Sequence, residues 1–101
     1  MPELEVEFVI DTGFEGEITL PIKVVEALGL KYAQPIYANL ADNVRKEVKA
    51  YVGLIKWFGK ERKVLVLAMG LKPLLGTMLL DLNDLHIEFK ENGSVDIIPL
   101  V

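Results

Sequence analysis

The sequence predicts a mainly β domain, a closed antiparallel β-barrel carrying one or two short helices. Three observations lead there. Apolar residues alternate with polar ones in several short runs, the period of a strand with one buried face. Gly, Pro, Asn and Asp residues punctuate those runs at short intervals. Only two helical patterns occur, both too brief to serve as crossovers between parallel strands, so a barrel is expected in place of a βαβ sheet.

In chain order, Leu4, Val6 and Phe8 alternate with Glu3, Glu5 and Glu7, and Val9-Ile10 then turn apolar on both faces, which carries a first strand into the core just before Asp11. A strand pattern resumes over residues 17–20. Pro21 opens a helix at Ile22–Leu28, with Gly29 placed as its C-terminal stop. Residues 34–40 and 44–57 read as a long hairpin joined at Ala41-Asp42-Asn43, where Asp and Asn tolerate a left-handed backbone. A second turn at Phe58-Gly59-Lys60-Glu61 leads to a strand over 63–68, and "GLKPLLG" then breaks the run. A short helix follows at 77–82. Leu85, Ile87 and Phe89 against Asp84, His86, Glu88 and Lys90 form a period-two strand. Asn92-Gly93, a strong hairpin signal, turns it into a terminal strand at Val95–Pro99.

The 101 residues are expected to form a single domain over 1–101, able to bury roughly two thirds of the surface of the unfolded chain. Hydrophobic residues at 51% and charged residues at 26% argue against disorder. No apolar run approaches the ~20 residues needed to span a bilayer. The first residues carry acids where a signal peptide would carry bases, so a soluble, cytoplasmic protein without membrane attachment is expected. The formal net charge of −4 argues against nucleic acid as a partner. Lys60, Arg62 and Lys63, interrupted by Glu61, read as a solvated turn.

The absence of cysteine, with His86 as the single histidine, removes thiolate nucleophiles, Cys-ligated zinc and most histidine triads. Neither metal nor cofactor is expected. His86 falls on the polar face of its strand, and Asp81, Asp84 and Asp96 read as capping or turn residues. Trp57 and Phe58 read as core or barrel edge.

One constellation carries chemistry. Asp11 is able to lend or take a proton, Thr12 adds a hydroxyl, and Gly13 lets the main chain approach the carboxylate without a Cβ in the way. The bland alternative is an acid in a turn between two strands.

Asp11-Thr12-Gly13 after an apolar strand, the hairpin that follows and the late "PLLG" at Pro73 to Gly76 together resemble the retropepsin-like aspartic proteases, most closely their small prokaryotic single-domain members. The likeness runs from about Val6 to Leu100 and includes "DTGFEGEITLP", "ALGL", "ANLAD" and "PLLGTMLL". It implies a homodimer in which each chain gives one Asp11, with no cofactor, acting on a polypeptide bound in extended form. Hydrolysis of this type needs two carboxylates, and the chain contains one such motif. Two like charges a few ångströms apart cannot both ionise cheaply, so the pair would share a proton, an arrangement for which aspartic proteases are the general example. By the same likeness Thr12 would bond across to the partner's loop and Gly13 would turn its N–H toward the carboxylates. Ala41, Asp42 and Asn43 would form the tip of a flap over the substrate, and Leu74, Leu75 and Gly76 would support the loop from beneath. Phe14 stands where many relatives have a small residue, and must either fill a subsite or pack under the flap. Only one strand precedes Asp11, where longer relatives have a hairpin, so dimer contacts are expected mostly from the C-terminal strand, Val95 to Leu100. A second reading keeps the dimer and the peptide groove as a binding or assembly module without the chemistry.

Overall fold

A computed structural model describes residues 3–39 and 44–100. Eight strands and two helices follow in the order β1 (Val9–Ile10), β2 (Ile18–Leu20), α1 (Ile22–Leu28), β3 (Lys31–Asn39), β4 (Arg45–Trp57), β5 (Lys60–Ala68), β6 (Leu74–Leu75), α2 (Thr77–Leu80), β7 (Asn83–Ile87) and β8 (Val95–Pro99). The fold is mainly β, as expected.

Closure into an antiparallel barrel is not observed. Six strands form one sheet in the order β1-β6-β2-β5-β4-β3, so β1 and β3 are its two edges, and β7 pairs with β8 in a separate ribbon. A barrel requires the end strands to meet, and among the described residues they do not. The sheet is also mixed: β1 runs parallel to β6 and β2 parallel to β5, while the remaining pairs are antiparallel. Two-residue β1 and three-residue β2 enter the sheet beside strands far along the chain, a pairing that local alternation cannot reveal.

The central strands β2 and β5 bury residues on both faces. Ile18, Thr19 and Leu20 of β2 are all buried, as are Val64, Val66 and Leu67 of β5. Ile18, Leu20, Val64 and Val66 join Val25 of α1, Leu75 of β6 and Leu79 of α2 in one apolar cluster. Val48, Ala50 and Leu67 form a second, with Phe14, Ile36, Ala38, Leu65 and Met69 packed on it. Thr19 is 1% exposed, and its Oγ1 accepts the Leu74 N–H at 3.1 Å, which satisfies a hydroxyl that burial would otherwise penalise.

Local signals place several boundaries. α1 ends where Gly29 takes a left-handed conformation (φ 63°) and donates its N–H to the Glu26 carbonyl, the C-terminal geometry that glycine serves best. The first strand is shorter than the alternation suggests: only Val9 and Ile10 pair, with Leu74 and Leu75. Residues 3–8 pair with no strand, although Val6 and Phe8 still pack on the core. β5 begins at Lys60, three residues before the expected start. Phe58 (φ 52°) and Gly59 (φ 77°) supply the two consecutive left-handed residues of a tight hairpin turn, which brings Trp57 opposite Lys60. Lys60, Arg62 and Lys63 therefore lie on a strand, not in a turn. Trp57 packs on the core cluster and Phe58 is exposed.

β7 ends at Ile87, so Phe89 is no part of the strand and is 94% exposed. The Asn92-Gly93 turn is wider than a two-residue hairpin. Glu88 N–H bonds the Ser94 carbonyl beyond the last strand pair, and Asn92 alone is left-handed (φ 56°). No helix among the described residues is long and apolar enough to cross a membrane.

Candidate functional site

Asp11 leaves the sheet one residue beyond β1. Its N–H donates to the Leu75 carbonyl at 2.9 Å, continuing the β1–β6 ladder, and its carbonyl accepts the Phe14 N–H at 3.1 Å. The chain thus turns back on itself directly after the last paired residue. The Gly13 N–H donates to Asp11 Oδ1 at 2.9 Å, the bond of an Asx turn. A Cβ on Gly13 would sit 3.2 Å from that oxygen, so glycine allows the backbone to wrap the carboxylate. Asp11 is half-buried, while Thr12 and Gly13 are exposed. Among the described residues Asp11 Oδ2 and the Thr12 hydroxyl have no hydrogen-bond partner in the chain. The result is a carboxylate held by the main chain through one oxygen, with the other unpaired among the described residues.

Leu74, Leu75 and Gly76 lie directly beneath. Leu74 and Leu75 pair with Val9 and Ile10 on one side, and with Thr19 and Ile18 on the other. Gly76 donates its N–H to the Glu17 carbonyl at 2.8 Å, Thr77 N–H to the Phe14 carbonyl at 2.8 Å and Met78 N–H to the Gly16 carbonyl at 3.2 Å. The first N–H groups of α2, which a helix leaves without internal partners, are thereby satisfied by the loop that follows Asp11. No side chain fits at Gly76. A Cβ there would lie 2.6 Å from Phe14 Cδ2 and 2.7 Å from the Phe14 carbonyl oxygen, and closer still to the Gly16 carbonyl.

Beside the Asp11 loop runs a groove of about 300 Å³, bordered by the loop itself from Gly13 to Gly16, by Ile36, Tyr37 and Ala38 of β3, and by Leu67 and Met78. Phe14 packs on the cluster of Val48, Ala50 and Leu67 and borders this groove. The proposed flap tip, Ala41, Asp42 and Asn43, lies outside the described residues.

Several residues of this region carried no role in the sequence reading. Gly16 and Met78 meet Phe14 or the groove only through the fold, although the repeated glycine of "GFEG" was a usable signal. Glu17 is another. Its Oε1 accepts the Leu65 N–H at 2.8 Å and its Oε2 meets Arg62 at 3.3 Å. That carboxylate binds the segment after Asp11 to β5 just ahead of the β2–β5 ladder, which begins at Ile18 and Val66. Its partners lie 45 and 48 residues away, so no local pattern exposes them. His86 is exposed on β7 opposite Asp96, and Asp81 and Asp84 are exposed near the start of that strand.

No family model, curated protein or solved structure matches this chain.

Proposed function

We propose that the chain is one half of a homodimeric aspartic endopeptidase, in which two copies of Asp11 activate a water molecule against a peptide bond. The observation that carries the reading is the Asp11 loop itself: a carboxylate fixed by the Gly13 N–H, with one oxygen open and with an exposed Thr12 beside it. The neighbouring groove, with Ile36, Ala38, Leu67 and Met78 beside the polar Glu15 and Tyr37, supports it, being of a kind that takes side chains of an extended peptide.

In this reaction one carboxylate of the pair is ionised and takes a proton from water as the oxygen attacks the scissile carbonyl carbon. The other is protonated and gives its proton to the carbonyl oxygen. Collapse of the tetrahedral adduct breaks the C–N bond: the departing amine takes a proton from the pair, and a hydroxyl of the adduct returns its proton to the pair as the carboxylic acid forms. Thr12, whose hydroxyl has no hydrogen-bond partner among the described residues, would serve as the contact to the second loop.

The surface of the β7–β8 ribbon supports a second copy. An isolated two-stranded ribbon is only marginally stable in water. Here Leu82, Phe89, Val95, Ile98 and Leu100 are all exposed, apolar surface that a second copy would cover.

The test is hydrolysis of an unfolded protein and a peptide library from acidic to neutral pH, with Asp11→Asn alongside. Asparagine keeps an acceptor for the Gly13 N–H, so the loop is expected to survive while activity falls by at least a hundredfold, on the order of a lost acid/base group. Because the two carboxylates are coupled, the rate should be bell-shaped in pH. Wild-type cleavage no faster than that of a folded, dimeric Asp11→Asn protein would overturn the reading. One observation favours the second reading, a peptide-binding module: Phe14 already fills part of the space beside the loop.

A further inference from the structure

The ring of Phe14 lies in a slot that exists because two residues lack side chains. A Cβ on Gly16 would stand 2.5 Å from Cζ and 2.8 Å from Cε1 of the ring, and one on Gly76 would stand 2.6 Å from Cδ2. The slot borders the groove, where Ile36, Ala38, Leu67 and Met78 supply further apolar surface. Its walls do not depend on the ring. Gly16 and Gly76 are held by the Met78 N–H to Gly16 carbonyl and Gly76 N–H to Glu17 carbonyl bonds. The Phe14 backbone is fixed separately, its N–H on the Asp11 carbonyl and its own carbonyl accepting both the N–H and the hydroxyl of Thr77. Shortening this side chain therefore empties the slot without releasing the Asp11 loop, and rigid apolar cavities of this kind stay open to apolar ligands.

We propose that Phe14 determines the side-chain specificity of the groove: its ring occupies from within a place fitted to an aromatic group, restricting the groove to aliphatic side chains of a bound extended peptide. The inference rests on the groove being the peptide site. Its chemical consequence is a switch, since removing the ring joins the slot to the groove and lets an aromatic side chain enter.

The experiment uses two capped hexapeptides identical except for a central Val or Phe, titrated into Asp11→Asn protein while the Met78 methyl resonance is followed by NMR. With Phe14 present the Val peptide should bind about tenfold more tightly, a discrimination typical of apolar pockets. Phe14→Ala should reverse the order, and Phe14→Leu should move the ratio in the same direction by less. Should Phe14→Ala not fold, Phe14→Leu carries the test. An unchanged ratio in the variants overturns the proposal, as does the absence of any Met78 response to both peptides. A reversed ratio in a protein whose wild type cleaves neither peptide upholds the specificity role and refutes the endopeptidase reading alone.

Discussion

Gly76→Ala separates two physical effects that usually coincide at glycine. Gly76 has φ −104° and ψ 178°, extended backbone that any residue adopts. With open space around it, alanine would stabilise the protein by roughly 0.4–1 kcal/mol by restricting the unfolded chain. The space is not open, and two of the three closest obstacles are the carbonyl oxygens of Phe14 and Gly16. Neither carbonyl is free to retreat. The first holds the Thr77 N–H, the second the Met78 N–H, and Gly76 itself bonds Glu17. Overpacking typically costs about 1–3 kcal/mol, and strain across these hydrogen bonds adds roughly 0.5–1.5 kcal/mol for each one lost. A net loss of about 2–5 kcal/mol follows, a large share of the 5–15 kcal/mol typical of a domain. For this chain length, at roughly 4–8 °C per kcal/mol, Tm should fall by at least about 8 °C. Urea unfolding followed by the fluorescence of Trp57, the single tryptophan, measures it. A Gly76→Ala protein as stable as wild type, or more so, would refute the packing of α2 onto the Asp11 loop described above.

Three further outcomes are expected. Thr19→Val keeps the volume of a fully buried side chain but leaves the Leu74 N–H without its acceptor, a loss of about 1–3 kcal/mol readable by the same urea titration; a neutral effect would exclude that bond. Glu17→Ala should cost a similar ~1–3 kcal/mol by abandoning the Leu65 N–H. Glu17→Gln, which keeps an acceptor and gives up only the ion pair to a partly exposed Arg62, should cost under about 1 kcal/mol; equal effects of the two would assign the stabilisation to charge instead. The Glu88 carboxyl is held below the usual carboxylate range by the Ser94 backbone N–H and, secondarily, by the Ser94 hydroxyl. Its folded-state value being depressed, the stability it contributes is present above the ordinary glutamate pKa of about 4.3 and is lost as pH falls through the folded value. In an NMR titration Ser94→Ala should move the Glu88 midpoint upward, part of the way to the ordinary value, and an unmoved midpoint would rule out the hydroxyl's share.

The residues of the candidate site were readable in the sequence to the extent that the site is local. Asp11, Thr12 and Gly13 are consecutive, and the bond from the Gly13 N–H to Asp11 Oδ1 spans two residues, so their types and spacing expose the turn. The support at Leu74–Gly76 was read through a resemblance, because nothing in "PLLG" by itself says that it lies under residue 11. The slot around Phe14 escaped the sequence altogether, since it needs Gly16 and Gly76 to meet across 60 positions of chain.

The same division holds for the whole fold. The sequence by itself determined α1 at Ile22–Leu28 with its Gly29 stop, the terminal strand Val95–Pro99 and the turn after Trp57, because proline, glycine and period-two alternation act on neighbouring residues. Only the tertiary structure decided that β1 joins β6 and β2 joins β5 in parallel, that the six-stranded sheet stays open in the single chain, and that Glu17 replaces a ladder bond at Leu65. Those outcomes depend on which distant strand offers unpaired N–H and C=O groups and matching apolar surface, a competition settled by the collapsed chain as a whole and not by any local pattern within it.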